Sequence, residues 1–366
     1  MSDVPNGQSR ADTPNDERLI TEGSSDDPAA TTRPEREAGA PRWLQAGLVL
    51  LRVGPAIGLV ALILVMTWLT PVFLTSRNIG NLLAQSAVIC VLAMGQLLVI
   101  VTRGIDLSVG STLALGTVVG ALAFAGGAPT AVVVLAMLLT GVAVGAVNGI
   151  VFVKGRLPHA FIITLATLSI ARGLALWLSD GQPIQGMPEP IQVLGGDILF
   201  GWLPVSTILV AVIAGIAVLL TTRLVWGRWI YAVGGNPEAA RRVAIPVGGT
   251  LISVYVLSGL AAGVAALLTA GRTNAGAPTF GALAELDAIA AVIIGGASFL
   301  GGRGHVGNAI IGALMIGVIR NGMNLLNVDS FFQPMVIGVV IVLAVEADVV
   351  RNAVESRFRV LQAVRS

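Results

Sequence analysis

Arg103, Asp106, Ser108 and Ser111 fall within one run, TRGIDLSVGS at positions 102–111, between two long apolar stretches. A guanidinium, a carboxylate and two hydroxyls beside hydrocarbon are costly to place, and such groups mark function more often than chance. Two readings of Asp106 stay open. It starts the following helix as an N-terminal cap, a common role of Asp and Ser. Alternatively, Asp106 and Ser108 sit at a polar break in a translocation pathway, where irregular backbone is tolerated because it lines a cavity. Arg103 is spaced to pair with Asp106 on one helical face.

A second constellation is YAVGGNPEAARRVAIPV, inside the polar segment 223–249. Gly234, Gly235, Asn236 and Pro237 form a turn. Asn236 is placed to cap a helix whose first position is Pro237. Glu238 then lies in the first turn, where the helix dipole favours an acid. Ala239, Ala240, Arg241 and Arg242 continue the helix until Pro246. Such a projection suits docking on a partner; it equally suits an interfacial helix whose arginines meet anionic lipid.

The third is residues 295–327, a Gly-rich turn with Arg303 followed by an apolar run ending in Asn321, Asn324 and Asn327. The three amides drift around one helical face. They are placed either to hydrogen-bond a polyhydroxylated solute or to cap the helix end. Gly116/Gly120, Gly141/Gly145/Gly149 and Gly259/Gly263 are small-xxx-small spacings, which we read as helix-packing faces.

Several chemistries are excluded. Lys154 is the only lysine and is followed by Gly155, so no phosphate-cradling Walker A loop exists in this chain. There is no HExxH and no GxSxG. His159 and His305 fall in separate short loops and are read as solvated. Cys90 is the single cysteine and lies in an apolar run, so no intrachain disulfide forms. No continuous basic face points to nucleic acid.

The elements that position these groups are set by composition. Of 366 residues 55% are hydrophobic and 11% charged, against roughly 25% charged in a soluble domain. The fold class is therefore an all-α polytopic membrane protein. A span needs about 20 apolar residues. Ten stretches qualify, at roughly 46–71, 81–101, 107–125, 130–152, 160–178, 205–222, 249–270, 285–300, 306–325 and 332–349. The third follows the opening motif directly and the eighth is short, so a broken or re-entrant helix is expected at each. Most basic residues fall on one side if the N-terminus is cytoplasmic, which gives an N-in, C-in topology. Arg77, Arg272 and Arg320 then lie outside, with the Lys- and Arg-free segment 179–204. Arg52 and Arg172 lie within spans and are expected to snorkel to an end.

Residues 1–44 read as a disordered cytoplasmic tail, 45–350 as the transmembrane domain with its polar loop 223–249, and 351–366 as a cytoplasmic tail. No short apolar run near Met1 marks a cleavable signal peptide. VGSTLALGTVVG at 109–120 echoes VGNAIIGALMIG at 306–317, as duplicated halves would.

The three motifs, in this order, resemble the membrane permease subunit of ribose/xylose-type ABC sugar importers. That family shows a GGIDLSVGS-like run, a GGN-EAA-R loop and a Gly-rich stretch closing in NNGLNLL. Here they are residues 103–111, 234–247 and 301–326, and the likeness covers about 45–350. Arg103 stands where the family usually has Gly, Ala244 where Gly often follows the EAA run, and Arg320-Asn321 where Asn-Asn is usual.

The resemblance implies a transport subunit of the cytoplasmic membrane, not itself an enzyme and without a cofactor of its own. It implies a second permease copy, an extracytoplasmic sugar-binding protein and a separate cytoplasmic ATPase that uses the ATP. By the same likeness Gly235, Asn236, Glu238, Ala239, Ala240 and Arg241 would dock on that ATPase. Asp106, Ser108, Asn321 and Asn324 are the candidates for the solute pathway. The alternatives are an ABC permease for a nucleoside or branched-chain amino acid, and an ion-coupled secondary transporter. The last is opposed by the scarcity of mid-span acids: Glu285 and Asp287 sit at an entrance, Glu346 and Asp348 near an exit.

Overall fold

The chain divides into two units, Met1–Ala46 and Gly47–Ser366. The computed structural model describes residues 42–363, with side chains from 53 to 349. The tail expected over 1–44 lies outside the described residues, except for 42–44, which open the first helix. The second unit carries the elements that matter for function.

In chain order these are α1 (Arg42–Leu69), α2 (Ser76–Val101), α3 (Val109–Ala125), α4 (Thr130–Lys154), α5 (Ala160–Leu178), β1 (Ile184–Gln185), α6 (Glu189–Gly196), β2 (Ile198–Leu199), β3 (Leu203–Pro204) and α7 (Val205–Thr222). They are followed by α8 (Val225–Gly235), α9 (Pro237–Arg242), α10 (Val247–Thr273), β4 (Ala275–Gly276), α11 (Ala284–Ile294), α12 (Val306–Leu325) and α13 (Gln333–Ala363). Each of the ten apolar stretches coincides with a helix. Among the described residues, α2, α4, α5, α7, α10 and α12 are long and apolar enough to cross a membrane. At 17 residues α3 is shorter, and α11 has only 11, well below the roughly 20 that a crossing needs. The last helix runs on to Ala363, so much of the expected C-terminal tail is helical.

Burial sorts the helices. In α2 nearly every residue from Ala84 onward is buried, and α11 is buried along its length. Large apolar side chains on α1, α4, α5, α7 and α13 face outward instead, among them Trp68, Leu135, Trp177, Val212 and Val342. That is the inverse of a soluble fold and the arrangement expected when lipid is the solvent.

Small residues set the closest approach. On α4, a Cβ at Gly141 would strike the Gly259 carbonyl of α10, and one at Gly145 the Tyr255 carbonyl. Only glycine permits this backbone contact, and it makes α4–α10 the main seam of the bundle. The segment 179–204, expected to be a polar loop, is more structured than that. Its helix α6 buries Met187 and Ile191 nearby and packs Gly195 against the end of α10. β1 pairs antiparallel with β4, Ile184 opposite Gly276; β2 and β3 form a small hairpin.

Two stretches carry non-helical backbone through the interior. Residues 102–108 separate α2 from α3. Residues 274–283 run beside α3, with Gly276 against the Thr117 carbonyl and Gly281 against that of Gly110, before α11 begins.

Candidate functional site

The first stretch begins with a helix end. The Arg103 N–H donates to the Ile100 carbonyl at 2.9 Å and the Gly104 N–H to that of Val99 at 2.9 Å. This is a Schellman closure, whose pivotal residue adopts the left-handed region. That residue is Arg103, with φ +65°. The turn sends its side chain away from Asp106, so the expected Arg103–Asp106 pair does not form: no continuous helical face joins them. Arg103 donates instead from Nε to the Gly234 carbonyl at 2.6 Å and from its terminal nitrogen to the Gly235 carbonyl. These are the last two carbonyls of α8, the negative end of that helix.

Asp106 points inward and is 0% exposed. Its Oδ1 accepts the Ser108 hydroxyl at 2.6 Å and the Ser108 N–H at 3.0 Å; its Oδ2 accepts the Ser258 hydroxyl of α10 at 2.9 Å. The Asn148 amide of α4 donates to Ser108 Oγ at 2.9 Å and approaches Asp106 Oδ1 at 3.5 Å. Thr167 of α5 donates to Asn148 Oδ1 at 2.7 Å. With its oxygen turned to the Asp106 N–H, the Gln96 amide brackets the Asp106 backbone, both contacts at 3.2 Å. The buried Tyr255 hydroxyl lies against Gly104 and has no hydrogen-bond partner.

Asp106 is thus not a helix cap. The capping position of α3 is Ser108, whose side chain makes no capping bond. The carboxylate instead gathers α3, α4 and α10 around the break through neutral donors. Burying a carboxylate demands such partners. Asn148, Ser258, Gln96 and Tyr255 were not singled out from sequence. The usable signal was an isolated polar side chain inside an apolar helix.

The α8–α9 projection follows the expected design. Asn236 Oδ1 accepts the N–H groups of Glu238 and Ala239, each at 3.0 Å. Pro237 opens α9, and Ala240 is buried with Val233 and Val247 beneath it. Glu238 and Arg241 form an ion pair at 2.8 Å, with side chains 72% and 61% exposed. Gly235 and Ala239 are exposed as well. The helix stops at Arg242 rather than at Pro246. It closes on a second Schellman turn pivoting at Ala244, φ +60°.

Two of the asparagines at the end of α12 have side-chain partners on other helices. Asn321 exchanges two hydrogen bonds with Asn78 of α2, at 3.0 and 2.9 Å, in a buried amide pair. Asn324 accepts from Gln333 of α13 at 2.7 Å. Both side chains join helices, Asn321 buried and Asn324 exposed.

Arg172 also departs from expectation. It does not snorkel but donates to the carbonyls of Pro278 and, at 2.9 Å, Phe280 on the non-helical stretch before α11. Arg320 of α12 pairs with Asp287 of α11 at 2.8 Å. Glu285 is buried beside Gly110 with Oε2 unpartnered. Asp348 of α13 accepts the Phe299 N–H at 3.3 Å. Neither His159 nor His305 is buried. No His, Cys, Asp and Glu cluster among the described residues has the makings of a metal site.

Residues 78–345 match the family model described as "Branched-chain amino acid transport system / permease component". The chain is 42% identical over 303 residues to the ribose import permease protein RbsC of Escherichia coli (strain K12), covering 80% of this chain and 92% of the relative. The D-allose transport system permease protein AlsC of the same organism is 38% identical over 320 residues, 87% of this chain and 98% of the relative. Its xylose transport system permease protein XylH is 32% identical over 352 residues, 79% and 89%. No solved structure matches. A buried polar break, an exposed capped projection and a lipid-facing apolar exterior thus meet in one chain, which belongs to this family of membrane transport permeases.

Proposed function

We propose that the chain is the permease subunit of an ABC importer that moves a monosaccharide of the ribose, allose or xylose kind across the cytoplasmic membrane. The observation that carries this is the 42% identity to a ribose import permease across 92% of that relative's length. The family description mentions branched-chain amino acids, but the relatives matched at 32–42% identity carry sugar names.

The remaining parts follow from this reading. The ten helices form an N-in, C-in bundle, with α11 and the segment before it re-entrant. A separate ATPase docks on the cytoplasmic face through Gly235, Asn236, Glu238, Ala239, Ala240 and Arg241. The rigid cap at Asn236 and the exposed Glu238–Arg241 pair support that role. A second permease copy and a sugar-binding protein complete the importer. Asp106 and Ser108 hold the break closed between α2 and α3, while Asn321 and Asn324 fix neighbouring helices along the pathway.

The test is uptake by the assembled importer in vesicles, with radiolabelled D-ribose and competition by D-allose, D-xylose and L-leucine. Sugar competition without leucine competition is the expected outcome. Leucine uptake with indifferent sugars would replace the reading.

A further inference from the structure

We propose that Arg103 is a positioning residue that ties the α8–α9 projection to the α2–α3 break, so that the two move as one body during transport. The inference rests on the reading of α9 as the ATPase-docking element.

Three observations carry it. First, Arg103 occupies the left-handed pivot of a Schellman turn, φ +65°. Glycine takes that conformation freely, and a residue with a Cβ does so at a cost. An arginine there needs a compensating contact. Second, the contact is present: its guanidinium holds the two terminal carbonyls of α8, Gly234 and Gly235. A cation at a helix C-terminus is favourable, and hydrogen bonds from a charged donor are the strong kind. Third, the backbones around it interlock. The Gly302 N–H donates to the Val101 carbonyl at 2.8 Å, and the Tyr231 hydroxyl of α8 to the Gly304 carbonyl at 2.8 Å. A Cβ at Gly234 would strike the Val101 carbonyl, and one at Gly301 the Arg103 stem.

The end of α2, the end of α8 and the turn before α12 therefore meet at one point, where the Arg103 side chain bridges the end of α2 to α8. Three residues on, Asp106 anchors the break to α4 and α10. A push on α9 reaches the break through Arg103. Its positive charge does not enter the Asp106 network, so the bridge can be removed without unpairing the buried carboxylate.

Arg103→Gly is the discriminating variant, because it relaxes the turn and deletes only the bridge. The full-length permease in nanodiscs, spin-labelled at Val243→Cys just after α9 and Lys154→Cys at the end of α4, reports the position of α9. The distance distribution is expected to be narrow with Arg103, broadened in R103G and partly restored in R103K. The complete importer in vesicles then gives D-ribose moved per ATP hydrolysed. R103G is expected to lower that ratio by about tenfold, the scale of one lost charge-assisted hydrogen bond, with ATPase binding and permease insertion unchanged. An unaltered distance distribution in R103G overturns the proposal, as does an unaltered ratio. Failure of the parent reading shows differently, as an importer with Arg103 intact that neither binds the ATPase nor moves sugar.

Discussion

The break before α3 and the segment before α11 both thread non-helical backbone through the interior, yet they are held by different means. Residues 102–108 are fixed by a carboxylate surrounded by short neutral donors from α3, α4 and α10. Residues 274–283 are fixed by a guanidinium reaching across from α5 to two carbonyls, beside an Asp287–Arg320 pair. The sign follows the bare backbone group. Glu285 and Asp287 lie in the first turn of α11, and Asp106 precedes α3 and accepts the Ser108 N–H. A cation sits where carbonyls are exposed, Arg172 at Pro278 and Phe280 and Arg103 at the end of α8. The two also differ in slack. Every oxygen of Asp106 has a donor, whereas Glu285 Oε2 lacks a donor and Arg320 Nε an acceptor. The carboxylate at the first break is thus fully partnered, while the acid and the guanidinium beside the second each keep an open group.

Substitution should expose that difference. Asp106→Leu strands the Ser108 N–H, the Ser108 hydroxyl and the Ser258 hydroxyl in a buried site. A loss of about 3–5 kcal/mol is expected, since each orphaned buried donor costs roughly 1–3 kcal/mol. Asp106→Asn keeps the shape and loses less. Unfolding in detergent measures both, and a silent Asp106→Leu would erase the contrast. Next is Arg172→Ala, which bares two carbonyls; about 2 kcal/mol is expected. Arg172→Lys should recover part of it, because the ammonium keeps the positive charge and a rotatable donor near the same carbonyls. Proteolysis of the 274–283 segment follows the change.

Smaller effects come from the helix joins. Asn321→Ala leaves the Asn78 amide half-paired on α2 and should lower stability by about 1–2 kcal/mol. Ala244→Gly should raise it by up to about 1 kcal/mol, as glycine relieves the left-handed turn closing α9. A drop in the melting temperature of that variant would contradict the conformation at Ala244.

The helices and the projection were legible because their causes are local. Hydrophobic runs of adequate length placed all ten apolar helices, and the Asn236, Pro237 and Glu238 spacing marked the cap of α9. Glycine at i and i+4 marked the α4–α10 seam. The polar contacts were not legible because their partners are distant in sequence. Asp106 finds Ser258 152 residues on, and Asn321 finds Asn78 243 residues back. Arg103 misled for another reason. Its spacing to Asp106 assumes continuing helix, and the left-handed turn breaks that assumption. The family's usual glycine at this position was the available signal that φ would be positive.

On the proposed function, the energy for transport reaches this permease through α9 from a separate ATPase. Glu238→Lys reverses the exposed charge of that helix while leaving the Asn236 cap and the buried Ala240 in place. The measurement is D-ribose uptake and ATPase co-purification for the complete importer carrying Glu238→Lys. Both are expected to fall by about tenfold or more, as loss of an interfacial charge contact would produce, with normal membrane insertion. Undiminished uptake with the ATPase still bound would contradict it.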